Sequence, residues 1–147
     1  MKVSDLLKNK GSGVYTIESH STMRQSLVNM IENKVGSLVV IDGEHSPVGI
    51  ITERDILRIL PSREPSEWLN MAVREFMTED IIIGVPSDDV EYIMALMTEN
   101  RIRHVPIMLE GKLVGLISIG DIVKSLLKNI KAENRYLSNY ISGKYPA

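Results

Sequence analysis

Thr52 with Asp55, and Ser118 with Asp121, are the residues whose types and spacing could do chemistry. They stand in two copies of one phrase, Gly49-Ile50-Ile51-Thr52-Glu53-Arg54-Asp55 and Gly115-Leu116-Ile117-Ser118-Ile119-Gly120-Asp121. In each, an apolar run of strand type passes without a turn into an amphipathic run of helical type, with the hydroxyl residue at the join. The first amides of a helix have no internal partner and carry partial positive charge, so a phosphate fits there and the hydroxyl can add a hydrogen bond. One turn further on, the aspartate can accept from two neighbouring hydroxyls at once, as a ribose presents them. The chemistry this points to is capture of a nucleotide-shaped ligand. The same residues also make near versions of the capping box, in which hydroxyl and carboxylate serve only the helix amides, and duplication alone does not separate the two.

Catalytic chemistry finds little to work with. His20, His45 and His104 lack zinc-ligand spacing, there is no cysteine, and neither a Gly-x-Ser-x-Gly nor a Walker-type loop occurs. Asp88-Asp89 precede a helical run and read as caps and dipole partners, and Met94 and Met97 read as core. We therefore expect no catalytic and no metal-binding residues. A chain of 147 residues that is 44% hydrophobic is long and apolar enough for a real core. A formal charge of -2, with the basic residues scattered, gives no reason to expect a nucleic-acid partner. The lack of cysteine, an acid at Asp5 where a signal peptide would be apolar, and no run long enough to span a bilayer together lead us to expect a cytoplasmic protein without membrane contact.

The elements that must position the motifs follow from periodicity. Val3 to Lys8 reads as a short helix closed by Lys10-Gly11-Ser12-Gly13, and Val14 to Ile17 as a strand. Ser21-Thr22 caps a helix with Met23, Leu27, Met30 and Ile31 on its apolar face, ended by Gly36. Ser37 to Ile41 and Pro47 to Ile51 form a hairpin across the turn at Asp42-Gly43-Glu44-His45-Ser46, and a helix runs from Glu53 to Leu60. Then the pattern restarts. Val73 to Met77 repeats the opening helix and Ile81 to Val85 the first strand. Met30 and Met97, Glu32 and Glu99, and Asn33 and Asn100 are each 67 residues apart, whereas Gly49 and Gly115 are 66 apart. The expected organisation is a first repeat over 1–60, a linker over 61–70, a second repeat over 71–127 and a helical extension over 128–147. Each repeat reads helix, strand, helix, strand, strand, helix, an α+β arrangement whose halves bury their sheets on each other. Pro106 marks its strand as an edge or an irregular one, and Trp68 reads as an anchor that packs the linker.

The doubled phrase, with Ile102-Arg103-His104-Val105-Pro106 ahead of its second copy, resembles a CBS-domain pair, or Bateman module, from Val3 to about Leu127. The resemblance implies two tandem repeats with pseudo-twofold symmetry that bind an adenine nucleotide (AMP, ATP or an NAD-type dinucleotide) between them. It implies that the aspartate holds ribose hydroxyls, the Thr or Ser lies near phosphate, and adenine slots between aliphatic side chains and main chain. Carried onto this chain, one cleft would use Ile50, Thr52, Arg54 and Asp55 with Ile82, Ile102, Arg103, His104 and Pro106. The other would use Leu116, Ser118 and Asp121 with Tyr15, Val35, Gly36, Ser37 and Val39. The two are not equivalent. Arg103 supplies a permanent, bidentate cation where the first repeat has Gly36, and Arg54 stands where the second has Gly120, so the cleft with Arg103 is expected to favour phosphate. A surface arginine completing a helix end is the plainer role for Arg103.

After Gly120 no glycine or proline occurs until Gly143, so the last helix outruns the repeat. Ile122, Leu126, Ile130, Leu137 and Ile141 form an apolar stripe, with Lys124, Lys128, Lys131, Glu133 and Arg135 largely off it. A second copy of the chain is the expected cover, and dimers are also what the resemblance implies. Three functions follow in order: a nucleotide sensor acting through an effector protein encoded elsewhere, a structural or partner-interaction dimer with unoccupied clefts, and an enzyme.

Overall fold

The computed structural model describes residues 1–10, 13–43 and 46–142. Gly11, Ser12, Glu44, His45 and Gly143, on which two expected turns and the end of the last helix depended, lie outside the described residues. The elements run α1 (Val3–Lys10), β1 (Thr16–Glu18), α2 (Met23–Asn33), β2 (Ser37–Asp42), β3 (Ser46–Thr52), α3 (Glu53–Ile59), α4 (Pro65–Trp68), a 3-10 turn (Val73–Glu75), α5 (Val90–Asn100), β4 (His104–Leu109), β5 (Lys112–Ser118) and α6 (Ile119–Ile141). Helices and strands mix in each half, and the last helix extends past the repeat.

The halves differ where the second was expected to copy the first. β1 lies parallel to β2, and β2 antiparallel to β3, in a three-stranded sheet, whereas β4 and β5 form a sheet of two. The expected strand from Ile81 to Val85 is absent, and only Gly84 makes a bridge, to Ile107. Gly84 donates to the Pro106 carbonyl and accepts from the Met108 amide, both at 2.9 Å. A parallel ladder would continue with the amide of residue 106 donating to the residue two before Gly84. The first half makes that bond, from the Val39 amide to the Tyr15 carbonyl at 3.1 Å. Proline has no N–H, so the ladder stops. The expected helix over Val73 to Met77 also shrinks to one 3-10 turn, because Thr78 turns both of its backbone groups to Ile50, at 2.9 and 3.0 Å.

Two cores hold the halves, and each borrows its opening element from the other. Val3 and Leu6 of α1 are buried with Val90, Ile93, Met97, Val105, Ile107 and Ile117 of the second half. Trp68 and Val73 are buried with Ile17, Met23, Met30, Leu38, Val40 and Ile51 of the first. The same bonds secure both exchanges. Val73 donates to the Ser21 carbonyl as Val3 does to Asp88, and Met23 donates to Met71 as Val90 does to Met1. Fully burying one such side chain contributes about 1.5–3 kcal/mol, so the crossings tie the halves together.

Local readings are adjusted in a few places. α2 and α5 end on left-handed residues, Lys34 and Arg101, both at φ 54°, so the stop is not made by Gly36. Asp89 does not cap α5 with its side chain; it pairs with Lys2 at 2.9 Å, while Asp88 accepts from the Val85 amide at 2.8 Å. Ile31 and Met94 are exposed, off the apolar faces on which they were expected.

Candidate functional site

β3 and β5 approach one another across the pseudo-twofold, which brings the two motif joins to one side of the molecule. A continuous groove of about 620 Å³ opens there, a size that suits a small-molecule ligand. Val35, Ile50, Ile81, Ile102 and Leu116 give it apolar walls. Thr52, Asp55 and Ser118 line it from the motif joins, and Gly36 and Ser37 from the start of β2. Arg54, Arg58, Arg101, Arg103 and Lys10 also line it, against three carboxylates, those of Glu53, Asp55 and Asp80. A chain of net charge -2 thus gathers cations from distant parts of its sequence onto one groove. Among the described residues, the four arginines form no ion pair.

At the first motif the capping box is complete. Asp55 Oδ2 accepts from the Thr52 amide at 2.9 Å and from the Thr52 hydroxyl at 3.1 Å, while the Asp55 amide donates to Thr52 Oγ1 at 3.3 Å. Thr78 reaches across from the exchanged segment, and its hydroxyl donates to Asp55 Oδ1 at 3.3 Å. Asp55 is buried, and among the described residues all its hydrogen-bond partners are neutral.

The second motif is built alike and partnered differently. Asp121 Oδ2 accepts from the Ser118 amide at 2.8 Å, and the Asp121 amide donates to Ser118 Oγ at 3.1 Å. The third partner is a cation: Lys10 Nζ donates to Asp121 Oδ2 at 2.7 Å and to the Leu116 carbonyl. Partial burial pushes the Asp121 carboxyl up, but the Lys10 ammonium and the Ser118 amide and hydroxyl outweigh it and hold it below the usual carboxylate range. His104, on the groove wall, is pushed below the usual imidazole value first by burial and then by Lys10, with Asp121 opposing; Arg103 lowers it further and Asp55 opposes.

Of the residues expected in the cleft with Arg103, the groove is lined by Ile50, Thr52, Arg54, Asp55, Ile102, Arg103 and His104. Ile82 and Pro106 are not among the lining residues; without the 81–85 strand its neighbour Ile81 takes the wall, and Pro106 is buried in β4. Of the second set, Val35, Gly36, Ser37, Leu116 and Ser118 line the same groove. Tyr15, Val39 and Asp121 do not: Val39 is fully buried, Tyr15 is exposed, and Asp121 lies behind Lys10. Sequence reasoning missed Thr78, Lys10, Arg58 and Arg101. Gly49 and Gly115 held a clue, since a glycine within a strand often marks close approach of another segment. Met77 and Thr78 crowd Gly49 as Leu7 crowds Gly115, and these are the exchanged elements that deliver Thr78 and Lys10.

The CBS-domain family profile matches twice, over residues 3–62 and 73–128. The chain belongs to the CBS-domain family and carries two tandem copies. Over 151 aligned residues it is 36% identical to the mitochondrial CBS domain-containing protein CBSX3 of Arabidopsis thaliana, covering 97% of this chain and 73% of that one. A CBS-domain containing protein from Agrobacterium tumefaciens superposes with a TM-score of 0.79 at 33% identity, over 85% of this chain and 98% of that one. The CBS domain pair of protein MJ0100, solved with 5-methylthioadenosine and S-adenosyl-L-methionine, shares the fold at 22% identity and TM-score 0.76, over 88% of this chain and 98% of that one. Among the described residues no helix is long and apolar enough to cross a membrane.

Proposed function

We propose that this chain is a regulatory module that binds an adenine nucleotide (AMP, ATP or an NAD-type dinucleotide) at the Asp55 motif, without turnover. It signals through an effector protein and works as a homodimer. One observation carries this: among the described residues, a buried carboxylate with no cationic partner faces a groove whose walls hold aliphatic side chains and four arginines without ion pairs. The carboxylate suits a ribose, the aliphatic walls a purine, and the arginines a phosphate. The adenosine-containing ligands of the MJ0100 pair are in keeping with that class.

A hydrogen bond to a charged group contributes about 1.5–3 kcal/mol, roughly ten- to a hundredfold in affinity. Asp55→Ala is expected to weaken AMP binding at least tenfold in calorimetric titration, while Asp121→Ala leaves it nearly unchanged. Arg103→Ala should weaken AMP and spare adenosine, which has no phosphate. Equal losses for the two ligands, or a larger effect of Asp121→Ala, would refute the assignment. The completed capping boxes favour one second reading, a structural dimerisation module whose motifs serve only their helices. A pure protein that binds no adenine nucleotide in dialysis would decide for it.

A further inference from the structure

The two motif aspartates meet equivalent segments of the exchanged openings, and those segments bring opposite chemistry. Leu7 crowds Gly115 as Met77 crowds Gly49, which aligns Lys10 of α1 with Asp80 after the linker. At the first motif, the crossing segment gives Asp55 a neutral hydroxyl from Thr78, and the residue matching Lys10 is a carboxylate that cannot pair with it. At the second, it gives Asp121 an ammonium at 2.7 Å, which also takes the Leu116 carbonyl beside the groove. Lys10 is exposed, but its backbone is anchored. It ends a helix whose Val3 and Leu6 are buried in the second core, so its Cα is fixed within reach of Asp121. A ribose hydroxyl arriving at Asp121 has to displace a charge-assisted bond, the stronger kind, and strand a lysine in a groove already rich in cations.

We propose that Lys10 is the residue that sets ligand stoichiometry: seated on Asp121 and the Leu116 carbonyl, it keeps the second motif closed, so the chain binds one adenine nucleotide, at Asp55. This rests on the nucleotide reading of the Asp55 motif. The duplicated sequence offers two sites and the exchanged helix withdraws one.

Calorimetric titration with AMP tests it on the full chain, comparing wild type with Lys10→Met, Lys10→Arg, Lys10→Met/Asp121→Ala and Asp55→Ala. The expected stoichiometry is one per chain in wild type and in Lys10→Arg, which keeps the cation. It should be two in Lys10→Met, and one again in the double variant. The histidine signals in NMR give an independent readout of the same contact: Lys10→Met should move the His104 titration to higher pH, since the ammonium is one of the causes holding it down. Two equivalents in wild type, or one in Lys10→Met with His104 shifted, overturns the proposal and leaves the nucleotide reading standing. Loss of the first equivalent in Lys10→Met would make Lys10 a ligand of the bound nucleotide and also overturns it. Failure of the nucleotide reading looks different: the single wild-type equivalent would survive Asp55→Ala. Binding by none of these proteins rejects both.

Discussion

A Cβ placed on Gly49 would lie 2.7 Å from the Met77 sulfur and 2.8 Å from the Thr78 carbonyl oxygen. The oxygen belongs to a backbone already bonded twice to Ile50, so it has little room to retreat. The three atoms nearest a Cβ on Gly115 all belong to the Leu7 side chain, whose methyls can turn away. Overpacking of this kind costs about 1–3 kcal/mol. Gly49→Ala should therefore lose that much stability in urea unfolding, and Gly115→Ala clearly less, although the two glycines occupy the same place in their repeats. Equal losses would mean the crossing segments are equally rigid. Residue types and spacing were enough to find the pairs Thr52 with Asp55 and Ser118 with Asp121 at their helix starts, because a hydroxyl and a carboxylate one turn apart there are a local pattern. Lys10 and Thr78 were not legible. They lie 111 and 23 residues from the aspartates they bond, and nothing local marks which segment will arrive.

At the scale of elements, the hairpins and motif helices could be read directly from aliphatic runs and caps, and the failures have one physical source each. Pro106 was legible as a mark of irregularity, but its effect falls on another segment: with no amide to offer, it denies 81–85 its ladder, and Ile81 rather than Ile82 faces the groove. The exchange of opening elements could not be read at all, since Val3 and Leu6 would complete an apolar core equally well in either half. It has a measurable signature. Leu6→Ala should destabilise by about 2–5 kcal/mol, the usual range for emptying a buried leucine. The loss should appear first in the wrong half by sequence, as faster amide exchange in α5 and β4, with β1 to β3 lagging. Exchange rising first in β1 and α2 would count against the shared core.

For the whole molecule, the groove side and the α6 side pose separate questions. Along α6, Ile122 is 1% exposed, but Leu126, Ile130, Leu137 and Ile141 are 42%, 51%, 54% and 84% exposed. A stripe of that length beyond the core is the kind of surface that marks an interface, and a second copy presenting the same stripe would cover it. Removing the residues after Ser125 should convert a dimer to a monomer in light scattering at micromolar concentration; a truncated chain that stays dimeric would move the interface elsewhere. The crossed openings also govern how such a chain comes into being. On the ribosome α1 emerges first, while β4 and β5, which complete its burial site, are made about a hundred residues later, a wait of roughly 5–20 s at ordinary rates of synthesis. The first half meets the reverse delay, for it cannot close until Trp68 and Val73 have been made. A newborn chain therefore carries Leu6 and Leu7 uncovered until β5 has been made, and a pause or a premature stop before β5 leaves α1 with nowhere to go.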